Sequence, residues 1–312
     1  MTLHSISSFE NSALDDCCRD RARGALIGLA VGDALGTTIE FKRRDSYSPI
    51  IDMVGGGPFN LAPGEWTDDT SMALCLADSL IAQEGALDAH DLARRFVRWW
   101  RKGENSVTGR CFDIGTTTRA GLAGFAATGT PRGDSAPHRA GNGGIMRLAP
   151  VALVARGNAA KAAELARAQS EVTHASVECL DAAGLLARVL VGGIVGEGHA
   201  ALDTGARIQW AAPKVAAIAK GEWRDKPRDF IRSSGYVIDT LEAAFWAVGS
   251  SLSFEEAVLK AVNLGDDADT VGAVAGQIAG AIWGYSAIPA HWRERIAWSG
   301  RLLDTADALV SC

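Results

Sequence analysis

Two short acidic segments, each directly before an apolar stretch of helical composition, contain the residues best suited to chemistry. They are residues 65–70 (EWTDDT) and residues 265–270 (GDDADT). One or two acids at a helix start can act as caps and interact favourably with the helix dipole. Three aspartates within four positions exceed what a cap uses, and they repel one another unless a cation or solvent compensates their charge.

If the two segments face one another, they offer several carboxylate oxygens and two threonine hydroxyls. These are hard oxygen donors of the kind that Mg²⁺ and Mn²⁺ prefer, and neither segment contains a histidine or cysteine to indicate zinc. The spaced D-x-D-x-D-G pattern of an EF-hand calcium loop is missing from both segments. The composition therefore predicts a Mg²⁺ or Mn²⁺ site that holds one ion or two.

Two glycine patterns each leave two interpretations open. Gly28, Gly32 and Gly36 recur at every fourth residue and therefore share one helical face, on which Asp33 and Glu40 would lie two turns apart. Such a face suits a close helix–helix crossing, a ligand site, or both. Residues 141–144 (GNGG) precede a helical stretch, where backbone N–H groups can converge on an anion, but a plain loop has the same composition. No P-loop lysine follows them.

The elements that must position these residues are helices. Apolar residues recur with helical periodicity along the chain, and residues 253–256 (SFEE) form a capping box before one such segment. Alternating strand patterns and βαβ units are nearly absent, and neither a linker nor an internal repeat divides the chain. We therefore predict an all-α fold, with residues 1–18 as a flexible or partner-binding polar tail and residues 19–312 as a single domain.

Composition excludes several classes of function. The 312 residues include 31 Lys and Arg against 37 Asp and Glu, a net charge of −6, which argues against nucleic acid as a partner. No apolar stretch reaches the roughly 20 residues of a membrane span, and the N-terminus has no targeting signal. The six cysteines lack CxxC or zinc spacing, as is typical of free thiols in a reducing compartment. We expect a cytoplasmic protein that binds no membrane.

Seven motifs together resemble those of the ADP-ribosylglycohydrolase family, most closely its bacterial dinitrogenase-reductase-activating branch. The resemblance runs from about residue 21 to the C-terminus and depends on the order and joint presence of the motifs. They are GDALG at 32–36 with Glu40, TDDT at 67–70, FDIGTTTR at 112–119, GNGGIMR at 141–147, TH at 173–174, SGYVIDTL at 234–241 and GDDADT at 265–270.

The resemblance implies an all-α fold with a cleft that holds two divalent cations, Mg²⁺ or Mn²⁺. The metal ligands that it implies are Thr67, Asp68, Asp69, Asp267, Asp269 and Thr270. Glu40 and Asp113 become the catalytic candidates, and which of them transfers the proton stays open. The predicted substrate-binding residues are Asp33, Gly141, Asn142, Gly143, Gly144, Met146, His174 and Tyr236. A core histidine, a core tyrosine and a helix cap remain the alternatives for His174, Tyr236 and Asp113.

The implied activity is hydrolysis of the N-glycosidic bond between ADP-ribose and an arginine side chain of a modified protein. Three alternatives stay open. They are a hydrolase of ADP-ribosyl-serine or O-acetyl-ADP-ribose, an immunity protein that neutralises an ADP-ribosyltransferase toxin by binding or reversal, and a relative that keeps the fold without the chemistry. The expected partners are an ADP-ribosylated protein and, for the immunity alternative, the transferase.

Overall fold

The computed structural model describes residues 15–312. This part of the chain contains fourteen α-helices and five short 3₁₀ helices joined by loops. This part contains isolated β-bridges but no β-strand, so the all-α prediction is confirmed. The α-helices are α1 Asp16–Gly36, α2 Asp68–Ala82, α3 Ala89–Lys102, α4 Thr116–Thr128, α5 Gly143–Met146, α6 Ala149–Val154, α7 Ala159–Glu171, α8 Val177–Ile194, α9 Pro213–Ala219, α10 Val237–Gly249, α11 Phe254–Val262, α12 Ala268–Trp283, α13 Ala290–Arg295 and α14 Ser299–Ser311.

Helices α1 and α12 form the centre of the core and pack antiparallel along faces of small residues. Both are buried along most of their length. A Cβ atom on Gly32 would lie 1.9 Å from the carbonyl oxygen of Gly272, so the two backbones touch where side chains are absent. The successive contacts pair Gly24, Gly28, Gly32 and Gly36 with Gly280, Gly276, Gly272 and Ala268. Close helix packing is therefore the function of the four-residue glycine repeat.

The expectation that Asp33 and Glu40 share one helical face is wrong. Helix α1 ends at Gly36, and a 3₁₀ turn, Thr37–Ile39, leads to Glu40, whose backbone is no longer helical (φ −52°, ψ 136°). Because α1 and α12 run antiparallel, this end of α1 meets the start of α12. The start of α2 also lies there, since Asp33 bonds to Thr67 and Thr70.

The boundary predicted for the N-terminal tail is too late. Helix α1 begins at Asp16, because the Asp15 side chain caps it by accepting a hydrogen bond of 2.7 Å from the backbone N–H of Cys18. Residues 16–18 are therefore helical, and residues 1–14 of the predicted tail lie outside the described residues. None of the helices within residues 15–312 has both the length and the apolar character that crossing a membrane requires.

Candidate active site

A cavity of about 1000 Å³ opens where the starts of α2 and α12 meet the end of α1. It brings together twelve of the sixteen residues that the sequence predicted for the site. They are Glu40, Asp68, Asp113, Gly141, Asn142, Gly143, Met146, His174, Tyr236, Asp267, Asp269 and Thr270. The other four, Asp33, Thr67, Asp69 and Gly144, lie behind the cavity wall and are buried.

Asp33 holds the start of α2 in place from the neighbouring helix. Its carboxylate accepts hydrogen bonds from the backbone and hydroxyl of Thr67, at 2.8 and 2.9 Å, and from those of Thr70, at 3.1 and 2.7 Å. Burial raises the pKa of Asp33 to about 6, although these hydrogen bonds oppose the rise. Because Asp33 is fully buried and does not reach the cavity, its predicted contact with substrate is wrong, and it acts as a positioning residue.

Glu40 performs the equivalent task at the start of α12. Its Oε2 atom accepts hydrogen bonds from the backbone N–H groups of Ala268, at 2.7 Å, and Asp269, at 3.2 Å. One carboxylate oxygen each from Glu40, Asp267 and Asp269 lies within 4.8 Å of the other two. Burial first, and then the charge of Asp267, raises the pKa of Glu40 to about 9. Glu40 thus joins the acid cluster while it caps the helix that carries two of its members.

The two acidic helix starts face one another across this cluster. The Thr67 hydroxyl lies 3.3 Å from Asp269 Oδ2 and 3.4 Å from Asp69 Oδ2, and the Thr270 hydroxyl lies 3.5 Å from the same Asp69 oxygen. Burial together with the neighbouring carboxylates raises the pKa values of Asp68, Asp69 and Asp269 well above the usual range.

One buried oxygen in the cluster has no hydrogen-bond partner among residues 15–312. Asp69 Oδ1 is inaccessible to solvent and unpaired, whereas buried polar atoms in proteins are nearly always satisfied. A bound positive charge would pair with this oxygen and reduce the repulsion among the crowded carboxylates. The side-chain atoms of the cluster that could coordinate a metal ion are all oxygens. The residues therefore fit a hard divalent cation such as Mg²⁺ or Mn²⁺.

Asp113 reaches the cavity from the loop before α4. Its backbone is left-handed (φ 55°), a conformation that aspartate tolerates better than most side chains. The residue that caps α4 is Gly115, so the alternative role of Asp113 as a helix cap is wrong. Burial raises the pKa of Asp113 to about 7, although a hydrogen bond with Asp269 opposes the rise.

The glycines of residues 141–144 allow close packing around His174 and Ser170. A Cβ atom on Gly143 would lie 2.6 Å from His174 Cε1, and one on Gly144 would lie 2.3 Å from Ser170 Oγ. Asn142 donates a hydrogen bond of 2.7 Å to Asp267 and one of 2.9 Å to Thr240. This segment therefore connects the acid cluster to the wall that contains His174.

His174 is oriented by a chain of hydrogen bonds that begins at the buried Arg147. A guanidinium can only donate, so Arg147 Nη2 donates to the Thr173 hydroxyl at 2.8 Å. The hydrogen of the buried Thr173 hydroxyl then has His174 Nδ1, also at 2.8 Å, as its acceptor among the described residues, and we assign the imidazole proton to Nε2 on this basis. Burial, and then the Arg147 charge, lowers the pKa of His174 to about 3. His174 therefore presents a neutral donor beside the cavity.

Arg147 and Thr173 belong to two of the sequence motifs, but the sequence did not predict that they position His174. The sequence signal was the Arg at the end of GNGGIMR and the Thr before His174. No local pattern shows that these two residues meet. Arg147 is held by the side chain and carbonyl of Gln169 and stacks on Phe96 at 4.4 Å, all contacts that depend on the tertiary fold.

Tyr236 lies half-buried at the cavity wall. Its hydroxyl donates to Glu178 and accepts a hydrogen bond of 2.8 Å from Lys214, whose ammonium also lies 4.9 Å from the ring centroid. Because Tyr236 lines the cavity and its hydroxyl is engaged, the core alternative is wrong. Glu178 and Lys214 also line the cavity, and the sequence did not predict them, since neither belongs to a recognisable motif.

Comparison with known proteins identifies this architecture. The sequence profile described as ADP-ribosylglycohydrolase matches residues 15–312. The chain belongs to the ADP-ribosylglycohydrolase family. This glycohydrolase is 50% identical over 298 residues to ADP-ribosylarginine hydrolase Tri1 of Pseudomonas putida (strain GB-1), a match that covers 93% of the chain and 78% of the relative.

Two further comparisons agree with the family assignment. The glycohydrolase is 34% identical over 291 residues to the ADP-ribosyl-[dinitrogen reductase] glycohydrolase of Rhodospirillum rubrum, covering 89% of the chain and 90% of the relative. It matches a solved structure titled "ADP-ribosylglycohydrolase-related protein complex" with a TM-score of 0.83 and 40% identity, over 94% of the chain and 98% of that chain. The predicted family and its fold are therefore confirmed.

Proposed function

We propose that this glycohydrolase removes ADP-ribose from modified arginine side chains of proteins by hydrolysis of the N-glycosidic bond. The observation that carries the proposal is the juxtaposition of Asp113 with the acid cluster of Glu40, Asp68, Asp267 and Asp269 in one cavity. The 50% identical relative is named for ADP-ribosylarginine hydrolysis, which supports the arginine linkage. A volume of about 1000 Å³ is at the upper end of ligand sites and suits a dinucleotide-sized ligand.

The oxygen-rich cluster would hold one or two Mg²⁺ or Mn²⁺ ions. The residues that would hold them are Thr67, Asp68, Asp69, Asp267, Asp269 and Thr270. When bound, such ions lower the pKa of water and orient hydroxyl groups. The chain itself contributes the crowded carboxylates, which Asp33 and Glu40 hold in position from α1 and from the loop after it.

We assign different roles to the two remaining acids. Asp113 pairs with the arginine guanidinium, since a carboxylate and a guanidinium form two parallel charge-assisted hydrogen bonds. Glu40 accepts the proton of the attacking water and passes it to the departing arginine side chain, because it lines the cavity within the acid cluster. A cation bound in the cluster would offset the charge of Asp267, which raises the pKa of Glu40, and would so keep Glu40 a carboxylate. Charge that develops on the ribose ring is stabilised by the surrounding carboxylates. His174 donates through Nε2 to an oxygen of the bound nucleotide.

The test is release of ADP-ribose from a peptide that carries ADP-ribosylarginine, assayed with Mg²⁺ or Mn²⁺. Serine-linked ADP-ribose and O-acetyl-ADP-ribose serve as competing substrate classes. We expect the arginine linkage to be cleaved fastest, and Asp68→Ala and Asp269→Ala each to lower the rate by about 10²-fold or more. The matched control is Asp304→Ala, an exposed acid on α14 that does not line the cavity. Full activity of both cluster variants would contradict the proposal.

A binding measurement tests the metal assignment without catalysis. A cation that binds only the folded protein stabilises it by about 2.7 kcal/mol at a concentration of 100 times its Kd. We therefore expect saturating Mg²⁺ or Mn²⁺ to raise the Tm of the wild-type protein and to leave that of Asp69→Asn nearly unchanged. A wild-type Tm that responds to neither ion nor to a chelator would refute the assignment.

The role of the N-terminal segment in binding an ADP-ribosyltransferase stays a prediction, since residues 1–14 lie outside the described residues. Co-purification of a transferase with the full-length chain, and its loss on deletion of these residues, would support the immunity function. The cytoplasmic location likewise stays a prediction.

A further inference from the structure

Three phenylalanines contact one another in a continuous row, and the first of them lines the cavity together with the two acids that are proposed to act on the substrate. Phe41, although large and apolar, is 67% exposed and lines the cavity. The Phe59 ring packs edge-on against it with centroids 6.2 Å apart, and Phe112 packs against Phe59 at 5.1 Å. We call Phe41, Phe59 and Phe112 the aromatic row. An exposed apolar patch of this kind, at the mouth of a polar cleft, is typical of a binding surface.

The backbone holds Phe41 in this exposed position. Its φ of 63° lies in the left-handed region, which a bulky residue adopts only when its surroundings enforce it. Two backbone hydrogen bonds of 2.8 Å do so: Phe41 N–H donates to the Asp266 carbonyl, and Asp266 N–H donates to the Lys42 carbonyl. The Phe41 backbone is therefore attached directly to the loop that leads to Asp267, the residue before α12, and its position is fixed relative to the acid cluster.

The row combines an aromatic face with adjacent negative charge. Phe41 directly follows Glu40, Phe112 directly precedes Asp113, and both acids line the same cavity as the Phe41 ring. A guanidinium is planar, delocalised and weakly hydrated, so it can stack on an aromatic ring while its N–H groups donate to a carboxylate. The O-glycosidic linkage to serine and the acetyl ester both lack the planar cation that such a surface recognises.

We propose that Phe41, supported by Phe59 and Phe112, is the stacking surface for the arginine guanidinium of the substrate and selects arginine-linked ADP-ribose. The inference rests on the proposed function and adds to it a residue that determines specificity. Phe41 contacts the guanidinium from one side, while Asp113 pairs with its N–H groups. The nucleotide part of the substrate lies against other residues of the cavity.

The test compares Phe41→Leu with Phe41→Trp. Leucine keeps an apolar side chain but has no π-face, whereas tryptophan is the best cation–π partner. We expect kcat/KM for the arginine-linked peptide to fall about 5- to 30-fold in Phe41→Leu and to stay within about 3-fold of wild type in Phe41→Trp. The Kd for free ADP-ribose, which lacks the guanidinium, should change by less than about 2-fold in both. Phe230→Leu, which changes a 72% exposed phenylalanine outside the cavity lining, is the matched control.

The outcomes separate this inference from the proposed function. A wild-type protein that leaves arginine-linked ADP-ribose intact overturns the proposed function and this inference with it. If wild type cleaves that substrate and Phe41→Leu cleaves it equally well, the inference alone is overturned. A loss of ADP-ribose affinity as large as the loss of kcat/KM would place Phe41 against the nucleotide and would also overturn it. Equal Tm values for the variants and wild type establish that the comparison concerns folded protein.

Discussion

The contact between α1 and α12 predicts an unusually large effect of adding one methyl group. In Gly32→Ala, the new Cβ atom would lie 1.9 Å from the Gly272 carbonyl oxygen, whereas real Cβ atoms essentially never come closer than 3.0 Å to such an atom. The obstacle is backbone on both sides, so no side chain can rotate away, and the helices must separate locally by about 1 Å. Overpacking in a close-packed core costs about 1–3 kcal/mol and sometimes more, and we expect the upper end, about 3 kcal/mol.

Urea denaturation of Gly32→Ala and of Gly124→Ala measures this effect with an internal control. Gly124 lies within α4, and a Cβ atom there would meet no atom within 4 Å. Because alanine has a higher helix propensity than glycine, Gly124→Ala should stabilise the protein by about 0.5–1 kcal/mol. The same chemical change should thus have opposite signs at the two positions, and the loss in Gly32→Ala corresponds to a Tm decrease of about 5 °C. If Gly32→Ala is as stable as wild type, the close contact of the two backbones is wrong.

Two further predictions concern His174. In the folded protein the pKa of His174 is about 3, so its imidazole stays neutral at pH 5, whereas an unfolded histidine with a pKa of about 6.5 binds a proton there. Because the unfolded state then binds more protons than the folded state, the free energy of unfolding decreases as the pH falls below 6.5. Urea denaturation should show that wild type loses about 2 kcal/mol more than His174→Gln between pH 6.5 and 5, and parallel profiles would contradict this. ¹⁵N NMR of the imidazole should show a protonated Nε2 in wild type and in Thr173→Ser. Thr173→Val should lose this fixed tautomer and about 1–3 kcal/mol, since one buried N–H group of Arg147 loses its acceptor while the hydrogen bonds to Gln169 remain. An unchanged spectrum would refute the relay.

The elements with local signals could be predicted from the sequence. The acidic segments before α2 and α12 contain more carboxylates than a helix cap uses, and the structure places them face to face because α1 and α12 pack antiparallel. Helical periodicity and the near absence of alternating patterns were sufficient for the fold class. The glycine repeat indicated one helical face, and only the tertiary structure showed that a second glycine-rich helix covers it.

Residues that act across long distances in the sequence could not be predicted in the same way. The role of Asp33 depends on where the start of α2 falls, 34 positions along the chain. The α1 helix ends before Glu40, and no pattern in the sequence marks a 3₁₀ turn at Thr37–Ile39. The aromatic row joins two loops, residues 40–67 and residues 103–115, through ring contacts, and isolated phenylalanines in loops have no periodicity that would connect them.

The glycine contact between α1 and α12 has a consequence for how new specificities arise in this scaffold. A side chain at position 24, 28 or 32 would collide with the backbone of α12, so these positions of α1 can hardly be substituted without moving the helices next to the acid cluster. The loop that carries Phe41, whose ring is 67% exposed, is instead free of such a close backbone contact at that position and is proposed to face the arginine side chain. Substitutions in the loops around the cavity can therefore change which ADP-ribose linkage is recognised, while the acid cluster and the helices that hold it stay the same.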